Sequence, residues 1–176
     1  MRASNGISNN MHAVSASIQR THTWPRWPYL LFLSILFLGP PAAALCIASG
    51  VPFLTMLGWT ARDVLTTYVC PTPLKSYELF AAPMAVCTRC WGATIGLWAG
   101  WYIATNTARR TATAPWFAFP VVVRFMTALA PFCLWWLEIH YWPTAAYEVL
   151  LLNGALAGTT AGMFFCSIWP GMRPRG

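Results

Sequence analysis

Charge is what this chain lacks. Only 9% of its 176 residues are charged, and Asp and Glu together number 4. Soluble domains carry roughly a quarter charged residues, so a water-facing surface could not be covered with so few. The shortage is concentrated. Segments 27–61, 91–108 and 149–172 contain no Asp, Glu, Lys or Arg at all, and 111–137 is broken only by Arg124. Each approaches or exceeds the roughly 20 apolar residues that cross a bilayer core.

Catalytic signatures are missing too. There is no phosphate-binding glycine loop, no G-x-S-x-G and no H-E-x-x-H, the spacings that position a phosphate cradle, a serine nucleophile or a zinc-bound water. No basic stripe with interleaved aromatics occurs, so the net charge of +7 does not point to nucleic acid. The arginines instead flank the apolar segments singly or in pairs, as loop residues of a membrane protein do.

What is present is abundant apolar and aromatic surface: 57% hydrophobic residues and 11 Trp, many near the segment ends where indoles favour the membrane interface. The pattern predicts an all-α integral membrane protein with four transmembrane helices at about 29–49, 88–106, 116–137 and 145–169. Its natural environment is the lipid bilayer, here the cell (inner) membrane. Residues 1–27 read as a disordered cytoplasmic tail, with Met11 an alternative start, 28–170 as the membrane domain and 171–176 as a second cytoplasmic tail. Ala42-Ala43-Ala44 resembles a signal-peptidase site, but the polar region before it is long for a signal peptide, and an uncleaved first span is expected. Pro40 and Pro41 should kink that span. Segment 50–68, apolar but carrying Arg62 and Asp63, predicts a helix lying in the interface.

Orientation follows from the basic residues. With the N-terminus inside, the inner segments hold Arg2, Arg20, Arg26, Arg109, Arg110, Arg173 and Arg175, against Arg62, Lys75 and Arg89 outside. The positive-inside rule therefore predicts both termini in the cytoplasm. Asp63, Glu78, Glu138 and Glu148 all fall outside. Arg124 lies about 12 Å into the third span and reads as a side chain snorkelling to the cytoplasmic headgroups.

Two glycine stripes predict how helices meet. Gly92, Gly96 and Gly100 lie four apart in the second span, and Gly154, Gly158 and Gly162 in the fourth. Such stripes let backbones approach closely where lipid gives little hydrophobic driving force. They point to contact between these two spans, with a homo-oligomer as the other use of the same faces; a larger membrane complex also stays open.

The chemistry-bearing residues gather on the outer side. Cys87-Thr88-Arg89-Cys90 begins the second span, Cys70 precedes it in the same loop, and Glu138 and His140 occupy the other outer hairpin. Cysteines three apart share a helix face, and a helix N-terminus favours a thiolate. Three readings stand open. Cys70, Cys87 and Cys90, with His140, could ligate a metal such as zinc. Cys87 and Cys90 could cycle as a catalytic pair. A disulfide from Cys70 could staple the loop. Cys46 and Cys166 read as apolar filling.

The stretch Cys70-Pro71-Thr72-Pro73-Leu74-Lys75-Ser76, then Pro83-Met84-Ala85-Val86-Cys87-Thr88-Arg89-Cys90-Trp91-Gly92 and Gly96, resembles the predicted-membrane-protein family called domain of unknown function 2085. That family reads C-H-Q-x-P-x-R-S and later P-x-C-x-R-C-x-G before a membrane helix. The resemblance runs over about 28–165. It carries over Cys70, Ser76, Cys87, Arg89, Cys90 and Gly92. Pro71 and Thr72 stand where the family has His and Gln, Lys75 where it has Arg, Glu138 near its Asp and Asn153 near its Arg. If the family's Cys, His, Cys, Cys set holds metal, this chain has lost one ligand: either His140 substitutes for it, or the site is degenerate and the remaining cysteines form a disulfide. The resemblance implies fold and topology; the outer cysteine cluster, read as stabilising or ligating a cap over the bundle, leads to the expectation of an accessory, assembly or binding role rather than catalysis. In architecture the chain is also similar to quinone-linked disulfide-forming membrane proteins. This makes a thiol oxidoreductase with Cys87 and Cys90 as active pair and a quinone as acceptor the alternative, although the second outer hairpin lacks their second cysteine pair.

Overall fold

Helix follows apolar run. In the computed structural model, which describes residues 25–70, 72–106 and 110–169, the first run forms α1 (Trp27–Ala48) and the next amphipathic segment α2 (Pro52–Tyr68). A short 3₁₀ turn (Pro73–Lys75) and a two-stranded hairpin, β1 (Glu78–Leu79) and β2 (Ala82–Pro83), lead into α3 (Thr88–Thr105). Then come α4 (Arg110–Ala118), α5 (Val121–Tyr141) and α6 (Tyr147–Ile168). The tails outside 25–169, with their predicted disorder, lie beyond the described residues.

Among the described residues, three helices are long and apolar enough to cross a membrane: α1 (mean hydropathy 2.3), α5 (1.4) and α6 (1.6). Helix α3 is diluted by Gly92, Gly96, Gly100 and Arg89. These residues face protein rather than lipid. Gly92, Gly96 and Gly100 lie on the backbone of α6 at Leu151, Ala155 and Thr159, while Gly154 and Gly158 lie on Arg89 and Ala93. Rising numbers on one helix meet rising numbers on the other, so α3 and α6 run parallel. A Cβ at Gly96 would stand 2.1 Å from the Ala155 carbonyl oxygen, and one at Gly158 2.0 Å from that of Ala93. Only glycine permits this approach.

Helix α1 runs the other way. Tyr29, at its start, packs on Ala104 and Cys166 and on the Trp169 ring (5.6 Å), while Phe37 stacks on Trp91 (5.8 Å) near the start of α3. Helix α5 is antiparallel to α6, with Phe125 against Phe164 (5.6 Å) at one end and Glu138 against Asn153 (2.7 Å) at the other. The starts of α1 and α5 thus share one end of the bundle with the last turns of α3 and α6.

Pro40 and Pro41 sit inside α1 without ending it. Pro41 cannot donate to the carbonyl of Phe37, four residues earlier. The Trp91 indole N–H donates to that oxygen instead, at 3.3 Å. The proline pair therefore makes a docking point between helices. Two expected boundaries shift. The predicted third span, 116–137, begins instead at Val121, because Pro120 adopts an extended backbone (ψ 150°) as its N-cap and separates it from α4. It also runs on to Tyr141. Arg124 is 3% exposed, so it is buried rather than extended outward.

Helix α2 folds back on α1, with Gly58 against Ala43 and Ile47. Its other side leaves Phe53, Met56, Trp59 and Val64 exposed.

Candidate metal centre

The end of the bundle opposite Tyr29 is built by the loop between α2 and α3. The last turn of α2 closes with the Cys70 N–H donating to the Leu65 carbonyl (2.9 Å), which turns the Cys70 side chain inward, where it is 5% exposed. The hairpin reverses the chain through Phe80 and Ala81, both left-handed (φ 53° and 60°), the geometry that two-residue hairpins demand. Lys75 then anchors the loop, donating to the carbonyls of Pro143 and Ala145 beyond α5. The Thr88 hydroxyl donates to the Lys75 carbonyl (2.9 Å). These ties hold Cys70 over the first turn of α3.

There three sulfurs converge. The Sγ atoms of Cys70, Cys87 and Cys90 all lie within 4.8 Å of one another. Cys87 Sγ is 3.4 Å from Cys90 Sγ, and the Cys87 backbone N–H donates to Cys70 Sγ at 3.2 Å. All three are buried free thiols, walled by Val86, Leu65, Trp91 and Trp135. Cys87 is the N-cap of α3 and Cys90 lies in its first turn, so the helix N-terminus favours negative charge on both sulfurs.

Hydrogen bonds from Cys70 first, then from Cys90, hold the Cys87 thiol far below the usual thiol range, with smaller help from the Cys90 N–H. The same contact with Cys87 pushes Cys70 up. The three thiols thus form one hydrogen-bonded cluster in which Cys87 is the most acidic member. A tetrahedral or trigonal ion with metal–sulfur bonds of about 2.3 Å needs sulfurs about 4 Å apart, and the cluster fits that dimension.

His140 stands apart from this group. It is exposed on α5, with Nδ1 2.8 Å from the Trp136 carbonyl oxygen and its ring 4.3 Å from that of Trp136. Cys133 is exposed, and Cys166 is buried far away beside Tyr29.

Next to the sulfurs lies a charged set that residue spacing does not reveal. Arg89 grips Glu138 with two hydrogen bonds, Nε to Oε2 at 3.2 Å and Nη2 to Oε1 at 2.5 Å. Asn153 donates to the same Oε2 (2.7 Å). Arg89 is 2% exposed and Glu138 8%. The guanidinium also lies 5.6 Å from the Trp135 ring, so Trp135 touches both the pair and the cluster. Glu138 of α5 and Asn153 of α6 are therefore partners. A surface cleft of about 360 Å³ is lined by Tyr68, Cys70 and Trp135.

A helical bundle with three membrane-length apolar helices and a buried sulfur cluster at one end defines the class: an integral membrane protein. The family model described as "Predicted membrane protein (DUF2085)" matches residues 70–164, more than half of the chain, and the chain belongs to that family. The matched region contains Cys70, Cys87 and Cys90, the Arg89–Glu138 pair and both glycine stripes. No curated protein and no solved structure matches the chain.

Proposed function

We propose that this protein is a four-span protein of the cell membrane with both termini cytoplasmic, whose outer face carries a metal ion held by Cys70, Cys87 and Cys90. It acts by binding or assembly rather than by turnover. The convergence of three buried sulfurs within 4.8 Å carries this reading. Helix α3 counts as the fourth span because it lies parallel to α6 in backbone contact from Gly92 to Gly100 and so shares its depth. Its low hydropathy reflects glycines turned to a partner. The seven arginines of the inner segments, Arg2, Arg20, Arg26, Arg109, Arg110, Arg173 and Arg175, against Arg62, Lys75 and Arg89 in the outer ones support the orientation. Glu138 is already committed to Arg89 and Asn153, and thus is not offered to a metal.

The test is metal content of protein purified in mild detergent without reductant. One ion per chain, lost in Cys87→Ser and kept in Cys133→Ser, supports the cap. Metal-free protein with a Cys87–Cys90 or Cys70-linked disulfide contradicts it.

The contact of Cys87 with Cys90 at 3.4 Å favours one second reading, a thiol oxidoreductase. There a dithiol substrate would be oxidised and a quinone reduced to quinol. Turnover of a dithiol with added quinone, abolished by Cys90→Ser, would establish it.

A further inference from the structure

We infer that the ion held by this cluster is monovalent copper in a three-sulfur site, an inference that rests on the metal-cap reading above and narrows it. The donor set decides the class of ion. Among the described residues the group of converging ligand atoms is sulfur alone, with no imidazole or carboxylate joining Cys70, Cys87 and Cys90. Structural zinc is almost always four-coordinate, with each position filled by a protein ligand. The two outer-hairpin residues that could offer a fourth ligand are occupied elsewhere: His140 is exposed and bonded along its own helix to Trp136, and both oxygens of Glu138 are taken by Arg89. A zinc ion here would have to complete its shell with water.

The surroundings disfavour that water. Cys87 is 0%, Cys70 5% and Cys90 9% exposed, and the walls are Leu65, Val86, Trp91 and Trp135. Soft thiolates select monovalent copper along with zinc, and copper in this state is satisfied by three sulfurs without a fourth donor. The negative charge that thiolates bring is offset by the first turn of α3, which begins at Thr88, and by the Cys87 N–H on Cys70 Sγ. Cys70, at the edge of the cleft between Tyr68 and Trp135, is the ligand next to the surface, while Cys87 lies innermost at 0% exposure. Each sulfur ligates as thiolate, any proton it still carries passing to solvent, and no electron moves.

The experiment uses full-length protein in mild detergent under anaerobic conditions, titrated with cuprous ion and with zinc, each against a chromophoric chelator. Copper K-edge absorption then reads the shell. The inference expects one cuprous ion per chain, a shell of three sulfurs without nitrogen or oxygen, and retention of that ion against a tenfold excess of zinc. Cys90→Ser should lose the ion and Cys133→Ser should keep it. The wild-type spectrum decides even if Cys90→Ser fails to fold. Zinc bound at one per chain and not displaced by cuprous ion overturns the copper assignment while leaving a metal cap. So does a copper shell containing nitrogen or oxygen. Failure to bind either ion overturns both the assignment and the metal-cap reading beneath it.

Discussion

Arg89 and Glu138 form a two-point ion pair, buried to 2% and 8% exposure, that joins the first turn of α3 to the last turns of α5. Asn153 of α6 completes it. Three helices are thereby pinned at the end of the bundle that carries the cysteines. Such a pair is weak evidence of net stabilisation, because desolvating two charges offsets their attraction. Removing one partner is a different matter.

Glu138→Ala should leave the Arg89 guanidinium buried without its counter-charge. A loss of about 3–5 kcal/mol is expected, read as a fall in thermal midpoint in detergent. The double change Arg89→Met with Glu138→Leu should recover much of it. Equal stability of Glu138→Ala and wild type would show that the guanidinium finds water in the folded protein.

The glycine contacts predict a steric cost. At Gly158 an added Cβ would meet the Ala93 carbonyl oxygen at 2.0 Å, and neither backbone can yield without separating α3 from α6. Gly158→Ala should destabilise by about 1–3 kcal/mol, with larger side chains worse. Unchanged melting of Gly158→Leu would mean that the helices part at no cost.

The loop tie at Thr88 predicts a change in exposure at a distance. Thr88→Val keeps the shape but removes the hydroxyl that donates to the Lys75 carbonyl, a bond worth about 1 kcal/mol. Cys70, held under that loop, should then react faster with a maleimide, by about fivefold if the whole amount goes into loop opening. Labelling at the wild-type rate would show that the Lys75 contacts to Pro143 and Ala145 suffice alone.

The shared protons predict an acidic thiol in the metal-free protein. Cys87 is lowered chiefly by Cys70 and Cys90. Its thiolate therefore stabilises the fold most at and above the ordinary thiol pKa, and the contribution fades as pH falls below that range. Cys70 is raised, so the folded state is disfavoured as pH climbs past the ordinary range. Thiolate ultraviolet absorbance should be present at neutral pH and vanish in Cys87→Ser. Absorbance that appears only in alkali would contradict the arrangement.

Sequence alone exposed the parts of this picture that repeat or sit close along the chain. The four-residue glycine spacing names a helix face directly, and Cys87 and Cys90 share a turn. Cys70 could be associated with them because it precedes them in one short loop. The Arg89–Glu138 pair was hidden, since it joins residues on different helices and depends on how α3 and α5 are placed. His140 looked like a ligand because it falls in the outer hairpin, yet its ring lies along α5 against Trp136. Trp135 carried no signal beyond being one of many tryptophans. The break before α5 follows from Pro120, whose choice between kinking a helix and starting one depends on the packing around it.

The most direct test of the three-cysteine centre is thiol-by-thiol alkylation, read by mass spectrometry, on detergent-solubilised protein with and without its bound ion. Cys70, Cys87 and Cys90 should be protected together when the ion is present and become reactive together when a chelator strips it, while Cys133 reacts at the same rate in both. Protection of the three that is unaffected by the chelator, or a reaction pattern in which Cys70 behaves independently of Cys87 and Cys90, would contradict a shared metal centre.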